Sequence, residues 1–317
     1  MAELEVGANL PWLDYGQDFG ASAWRPQGGV AVPERRERLR AELGRIADSG
    51  ATLVRLWLLG DGRAGLVEDD ALRPLGLDDH VFPDFDCAIA ALAEAGLRAH
   101  VVLTDFLWFA PLQVENGVRL GGRREQVRDP AQRAELLSLV FAPIAARYGQ
   151  ADQVAGWDLL NEPEWATLGV GTTDPSRAIS KAEMREYLGE LAVLFHARAR
   201  QPLSVGLASA QWLSLLDGLP LDLVQVHWYE THDSLAALAR PVAPSAPGLP
   251  APFLGEFPTQ GASLPAERLL EIARDAGYSA ALAWSSLATD PATDQQACLN
   301  GLSRFTSGRD FAERARA

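Results

Sequence analysis

The sequence predicts an α/β fold: a closed (β/α)8 barrel, the TIM barrel, formed by residues 1–317 as one domain. Three observations predict it. Eight short apolar runs alternate along the chain with longer stretches of helical periodicity. No break in composition, internal repeat or low-complexity segment divides them. The connections entering the runs are a few residues long, whereas those leaving the first four are long: residues 10–32, 58–83, 104–130 and 163–180. Long loops in a compact domain are usually functional. Here they fall on the face where parallel barrels build their sites.

Residues 4–9 read as the first strand. Residues 34–49 carry Leu39, Leu43 and Ile46 at helical spacing, with Pro33 at the start and Gly50 at the stop. Residues 52–57 are a second strand, β-branched and apolar except for Arg55. A helix over 84–95 ends at Gly96, and residues 98–103 give the third strand. A helix over 131–148 ends at Gly149 and leads to the fourth strand, 154–160. A helix over 181–200, a fifth strand at 203–207 and a short helix at 212–216 follow. The sixth strand is 223–228, and the seventh, 253–256, comes after a Pro-rich stretch, 241–252, read as a rigid connection on the opposite face. A helix over 265–276 closed by Gly277, an eighth strand at 280–284 and a last helix over 294–304 complete the chain before a polar tail.

Hydrophobic residues make up 48% of the chain and mean hydropathy is −0.04, as in an ordinary globule with a large core. The net charge of −14 argues against a nucleic-acid or anionic-membrane partner. No apolar run is long enough to cross a membrane. The N-terminus shows neither a basic region nor an apolar leader segment, so a cytoplasmic protein is the default expectation; a secreted enzyme stripped of its leader would read the same. Cys87 and Cys298 lie in expected helices without metal-ligand spacing, and free thiols are expected.

The chemistry gathers at strand ends. The run Val154–Leu160 ends abruptly in Asn161-Glu162-Pro163, where the proline stops the strand and stiffens the turn presenting Glu162. The seventh strand ends in Glu256. The C-terminal ends of strands four and seven face each other across a barrel mouth. Two opposed carboxyl groups are the equipment for breaking a glycosidic bond: one protonates the leaving oxygen, the other attacks or activates water. A capping or ion-paired glutamate is a common structural reading for either residue alone, and much less so for both at matching strand ends.

His227 and Tyr229, two apart, share one strand face. Arg55 shares its face with Leu53 and Trp57, and a guanidinium there needs a carboxylate; Glu256 is the preferred partner and Asp158 the alternative. An arginine beside Glu256 keeps it ionised, as a nucleophile requires, and leaves Glu162 free to hold a proton. Asn161 and Glu162 are adjacent, so the strand must bulge or unravel for both to face one site. Seven tryptophans (Trp12, Trp57, Trp108, Trp165, Trp212, Trp228 and Trp284) fall near C-terminal strand ends or in the loops beyond. Flat aromatic faces suit pyranose rings, and Trp284 and Trp108 are the expected platforms. Gly60-Asp61-Gly62-Arg63-Ala64-Gly65 fits a G-x-G-x-x-G pattern but lacks the helix that a dinucleotide site needs, and is read as a loop.

With these residues in place, the chain resembles the clan A glycoside hydrolases, and within them family 5, as a succession of strand ends along its whole length. Asn161-Glu162-Pro163 resembles the acid/base motif, and Glu256 in Leu-Gly-Glu-Phe the nucleophile. Arg55 in Val-Arg-Leu-Trp is similar to the arginine that bonds the nucleophile. His227 and Tyr229 in His-Trp-Tyr are similar to a pair whose tyrosine steadies it. Trp284 is similar to the tryptophan under the sugar at the cleavage point, and the resemblance implies that Asn161 binds that sugar's 2-hydroxyl. After strand three, many members carry a histidine or paired asparagines; this chain has Thr104-Asp105-Phe106-Leu107-Trp108.

The expectation is a retaining β-glycoside hydrolase acting on β-1,4-mannan, β-1,4-glucan or their oligosaccharides. The Arg-x-Trp of strand two and the aromatic after strand three tilt the resemblance to mannan. A carbohydrate is the expected partner and no metal or organic cofactor is implied. Retention predicts carboxyl groups about 5–5.5 Å apart. The rival expectations are an intracellular exo-acting β-glycosidase and a catalytically inactive carbohydrate-binding barrel.

Overall fold

The computed structural model of the chain describes residues 3–240 and 252–314. Eight strands are expected to close on themselves, and they do. They are β1 (Glu5–Asn9), β2 (Leu53–Trp57), β3 (Arg98–Val102), β4 (Val154–Asn161), β5 (Leu203–Leu207), β6 (Gln225–His227), β7 (Phe253–Pro258) and β8 (Ala280–Trp284). They pair in sequence order, all parallel, and β1 closes the barrel on β8. Nearly every strand residue is buried, which explains why the strands read as unbroken apolar runs rather than alternations.

The helices pack their apolar stripes on the outside of the barrel. Pro33–Asp48 turns Leu39, Leu43 and Ile46 inward, each almost fully buried. Val81–Ala95 and Ala266–Ala276 end on Gly96 and Gly277 at φ 68° and 86°, the left-handed cap that glycine adopts without strain. Lys181–His196 opens with a reciprocal cap: the Ser180 hydroxyl accepts from the Glu183 N–H, and the Glu183 carboxylate accepts from the Ser180 N–H.

Three expectations are corrected. The helix over 131–148 is not uniform; Pro130–Glu135 and Ala142–Tyr148 flank a π-helical segment, Leu136–Phe141. Pro143 has no N–H to offer the carbonyl four residues back, so the ladder widens there. The helix from Lys181 stops at His196 rather than at Arg200. The long connections after β2 and β3 each contain a small antiparallel hairpin, Leu66–Glu68 with Pro74–Leu77 and Gln113–Glu115 with Val118–Leu120. The Pro-rich stretch falls almost wholly outside the described residues. Cys87 and Cys298 are free thiols, as expected. No helix among the described residues is long and apolar enough to cross a membrane.

The loops above the barrel mouth are tied down by buried charges. Asp84, on the helix after β2, accepts N–H bonds from Gly20, Gly29 and Ala31 at 2.7–2.8 Å and so fixes the first loop. Arg123, 2% exposed, pairs through Nε and Nη2 with Glu68 at 2.7 and 2.9 Å and donates to the carbonyls of Asp61, Gly62 and Gly121. One side chain thus clasps the loops after β2 and β3 together. Removing one partner of a buried pair leaves the other charge uncompensated. Arg123→Ala is expected to destabilise the fold by about 3 kcal/mol, read as a lower urea midpoint at unchanged m-value; a midpoint within error of the parent would show that the clasp carries no stability.

Candidate active site

The mouth of the barrel is organised around Arg55. The side chain projects from β2 into the barrel and is 0% exposed. All five of its N–H groups are used. Nε and Nη2 bond Asp158 Oδ2 at 3.1 and 2.7 Å, and Nη2 also reaches Asn161 Oδ1 at 2.7 Å. Nη1 bonds Glu256 Oε1 at 2.6 Å and Asn9 Oδ1 at 3.2 Å. Glu256 and Asp158, posed as alternatives by the sequence, are therefore both partners. Below the guanidinium runs a second polar layer, in which Gln225 Nε2 donates to Asp158 Oδ2 at 2.9 Å and Ser204 Oγ donates to Gln225 Oε1 at 2.7 Å. His100 Nε2 lies 2.7 Å from Ser204 Oγ, and burial pushes His100 down to about 3, so its ring is neutral. Two glycines make room for this layer. A Cβ at Gly206 would stand 2.7–2.9 Å from nitrogens of Gln225, His227 and Arg55, and one at Gly255 would meet Gln225 Nε2 at 2.5 Å.

Glu162 reaches the mouth through the break in β4 that two adjacent site residues demand. The ladder to β5 shifts register between Asp158 and Asn161, and Glu162 takes φ 50°, ψ 52°. A left-handed conformation at a non-glycine residue is locally strained and often marks a site. Asn161 and Glu162 then both face the mouth. The Asn161 carbonyl accepts from Arg55, and its amide donates to Asp105 Oδ2 at 2.9 Å.

The two carboxyl groups meet as the expectation requires. Glu162, His227 and Glu256 each offer an atom within 4.8 Å of the other two. His227 Nδ1 stands 2.8 Å from Glu162 Oε1 and 3.5 Å from Glu256 Oε2. Burial pushes His227 down to about 4, so the neutral ring donates from Nδ1 to Glu162. These three side chains are the one group of possible metal donors among the described residues. Their donor atoms are already engaged with one another, with Arg55 and with Tyr229.

The environments of the glutamates differ. Burial pushes Glu162 up to about 7; its direct partners are the neutral His227 and the Trp165 indole N–H, 3.0 Å from Oε2. Burial also raises Glu256, but the Arg55 guanidinium and the Tyr229 hydroxyl, 2.7 Å from Oε2, favour its anion. One carboxyl is set to hold a proton, the other to remain charged.

Around them lies an open cleft of ≈ 360 Å³, its wall including Trp12, Trp57, Trp165 and Trp284. Trp284 stands edge-on to Trp57 and Trp12, with centroids at 5.8 and 6.2 Å, and donates its indole N–H to Asp290 Oδ2 at 2.8 Å. The Arg55 guanidinium lies 4.4 Å over the Trp57 ring.

Of the residues singled out from sequence, the structure brings together Arg55, Asn161, Glu162, His227, Tyr229, Glu256 and Trp284. Trp108 is the exception. It is 1% exposed, beneath the mouth, with the Arg123 guanidinium 5.3 Å from its ring. Asp105 caps a 3-10 turn, Phe106–Phe109, by accepting from the Leu107 N–H. At three residues per turn the three side chains after Asp105 point three ways. Phe106 and Leu107 line the cleft, and Trp108 turns into the core.

Asp105, Tyr15, Trp165, His232 and Asp290 also line the cleft and were not singled out as site residues. Trp165 was legible in principle, three residues past Glu162 on one turn. Asp105 stood out only as the departure from the family pattern after strand three. Burial pushes its carboxyl up to about 7.

No family model matches the chain. The mannan endo-1,4-beta-mannosidase of Mytilus edulis is 24% identical over 158 residues, 50% of this chain and 39% of that relative, so the match spans well under half of the relative's length. Three solved structures share the fold. An endo-1,4-beta-mannanase from Eisenia fetida has a TM-score of 0.76 at 18% identity, over 95% of this chain and 90% of that one. A beta-1,4-mannanase from Aplysia kurodai has 0.76 at 17%, over 95% and 92%. The beta-mannanase of Mytilus edulis has 0.74 at 19%, over 96% and 92%. At these identities the likeness establishes the common barrel.

A carboxyl whose folded-state value is raised costs stability once the unfolded chain can ionise. The cost is absent below the ordinary value of 4.5, grows with pH, and is complete above about 7. Glu162→Gln is therefore expected to match the parent in thermal stability near pH 4 and to exceed it at pH 8. An equal difference at both pH values, followed by calorimetry, would mean that Glu162 titrates normally.

Proposed function

We propose that this chain is a retaining β-glycoside hydrolase acting on β-1,4-linked mannan and its oligosaccharides. The observation that carries the proposal is the pair Glu162 and Glu256, with oxygens within 4.8 Å across a neutral histidine and with opposite electrostatic surroundings. Carboxyl groups this close leave no room for a water between nucleophile and sugar, the arrangement of a double displacement.

In the first step, Glu256 attacks the anomeric carbon while Glu162 gives its proton to the glycosidic oxygen. The C–O bond to the leaving sugar breaks, and an ester to Glu256 forms. In the second, Glu162, now a carboxylate, takes a proton from water as the water oxygen attacks the same carbon, and Glu256 leaves as the anion. Arg55 and Tyr229 hold Glu256 in position and stabilise its charge as it leaves. His227 orients Glu162 through Nδ1. The aromatic wall offers Trp284 to the sugar at the cleavage point, and Asn161, clamped between Arg55 and Asp105, keeps one amide N–H for a sugar hydroxyl. Mannan is favoured over glucan by the names that the three neighbouring structures and the curated relative carry.

Two outcomes test this. Glu256→Ala should lower kcat on β-1,4-mannan on the order of 10⁴-fold or more, and NMR should show that the first-formed product keeps the β configuration. Inversion, or inactivity of the parent on mannan, glucan and aryl β-glycosides alike, would overturn the proposal in favour of another mechanism or of a binding role. Because Glu162 must be protonated, kcat/KM should fall about tenfold per pH unit above about 7. Asp105 ionises in the same range, so the limb belongs to the coupled pair. A profile flat to pH 9 would remove Glu162 from the acid role.

A further inference from the structure

A second cavity of ≈ 280 Å³ adjoins the cleft and shares Phe106, Leu107 and Trp165 with it. The two form one continuous trough. The far wall of the second cavity comes from the loop after β4, including Thr172 and Arg177. That wall is fixed. Thr167 pairs with Ile179, Leu168 with Thr172, and Arg124 Nη1 donates to the Pro175 carbonyl at 2.7 Å. Trp165 is braced by Trp212, with ring centroids at 5.0 Å, and by His232 at 5.9 Å.

The trough has a direction. Trp165 donates its indole N–H to Glu162 Oε2, so the second cavity lies on the side of the proton donor. Trp57 and Trp284 lie on the other side, where Arg55 and Glu256 stand. A leaving group must sit beside the acid that protonates it, whereas the sugar that becomes the ester must sit over the nucleophile. We propose that the cavity walled by Phe106, Trp165, Thr172 and Arg177 is a leaving-group subsite for neutral sugar units on the reducing side of the cut, so that the chain is cleaved internally. The inference rests on the glycosidase reading above.

The lining has the chemistry for it. An indole and a phenyl ring give flat apolar surface for the C–H face of a pyranose. Arg177 carries five N–H donors and, among the described residues, makes no side-chain hydrogen bond or ion pair of its own; its charge is felt by Asp174 at longer range. A guanidinium free at the end of a cleft in a chain of net charge −14 suits the hydroxyl oxygens of a polyol better than a second cationic group.

The test follows β-1,4-mannohexaose bearing heavy oxygen at its reducing end, with products resolved by mass spectrometry. The parent should cut so that most label appears in fragments of two or more sugars. Arg177→Ala, at an exposed position, and Ala110→Phe, which fills the cavity from an extended backbone position, should each fold with the parent's melting temperature. Each should lower the ratio of longer labelled fragments to labelled monosaccharide about threefold or more, the effect of losing roughly one neutral hydrogen bond or its equivalent in contact. An unchanged ratio in both folded variants overturns the subsite while leaving the glycosidase reading intact. A shift to longer labelled fragments also overturns it, by placing the non-reducing part of the chain there. No cleavage of any β-linked saccharide by the parent overturns the glycosidase reading, and this inference with it.

Discussion

A single guanidinium, fully buried, holds together groups from four strands of the barrel. Arg55 on β2 bonds Asn9 on β1, Asp158 and Asn161 on β4, and Glu256 on β7. A buried charge survives only if it is paired and its hydrogen-bonding groups are satisfied, and both conditions are met. The arrangement also sets the charge of its surroundings. One cation faces two carboxylates, Asp158 and Glu256, so the pocket is already one negative charge in excess. A further anion at Glu162 would be opposed by that excess and by burial. The proton on Glu162 and the charge on Glu256 are thus two results of one cation placed off-centre between them.

The barrel was legible because its strands are buried on both faces, so that uniform apolar runs and abrupt polar ends mark them directly. Glu162 and Glu256 were legible for the same reason: each is the first acid after such a run. The hairpins over the mouth were not, since strands of three residues leave no period to read. Trp108 shows the other limit. Its place near a strand end was read correctly, but whether it faced sugar or core depended on the phase of a 3-10 turn set by Asp105. A change of one residue in that phase exchanges the roles of Trp108 and its neighbours. Arg55 posed a choice between two carboxylates that the forked shape of the guanidinium dissolves, because separate N–H groups serve each.

The mouth concentrates acids whose ordinary state is charged and whose surroundings favour the neutral form. Burial raises Asp105, Glu162 and Glu256, and raises Glu164 well beyond its usual range behind them. The rest of the molecule compensates with ordinary means. Reciprocal caps, left-handed glycines and the Arg123 clasp lie away from the chemistry and carry no strain. The locally unfavourable features, the left-handed Glu162 and the crowded carboxyls, cluster where bonds would be broken.

Gly206 and Gly255 carry a consequence for anyone seeking to move this machinery to another scaffold. Neither touches a substrate, yet a single methyl group on either would collide with the layer beneath the guanidinium. A graft that copied only the two glutamates, the arginine and the tyrosine onto a barrel with alanine or valine at these heights would push Gln225 and His227 out of register. The portable unit is therefore a plug of side chains together with the two vacant Cβ positions it occupies, and a recipient barrel is suitable to the extent that it already lacks those carbons.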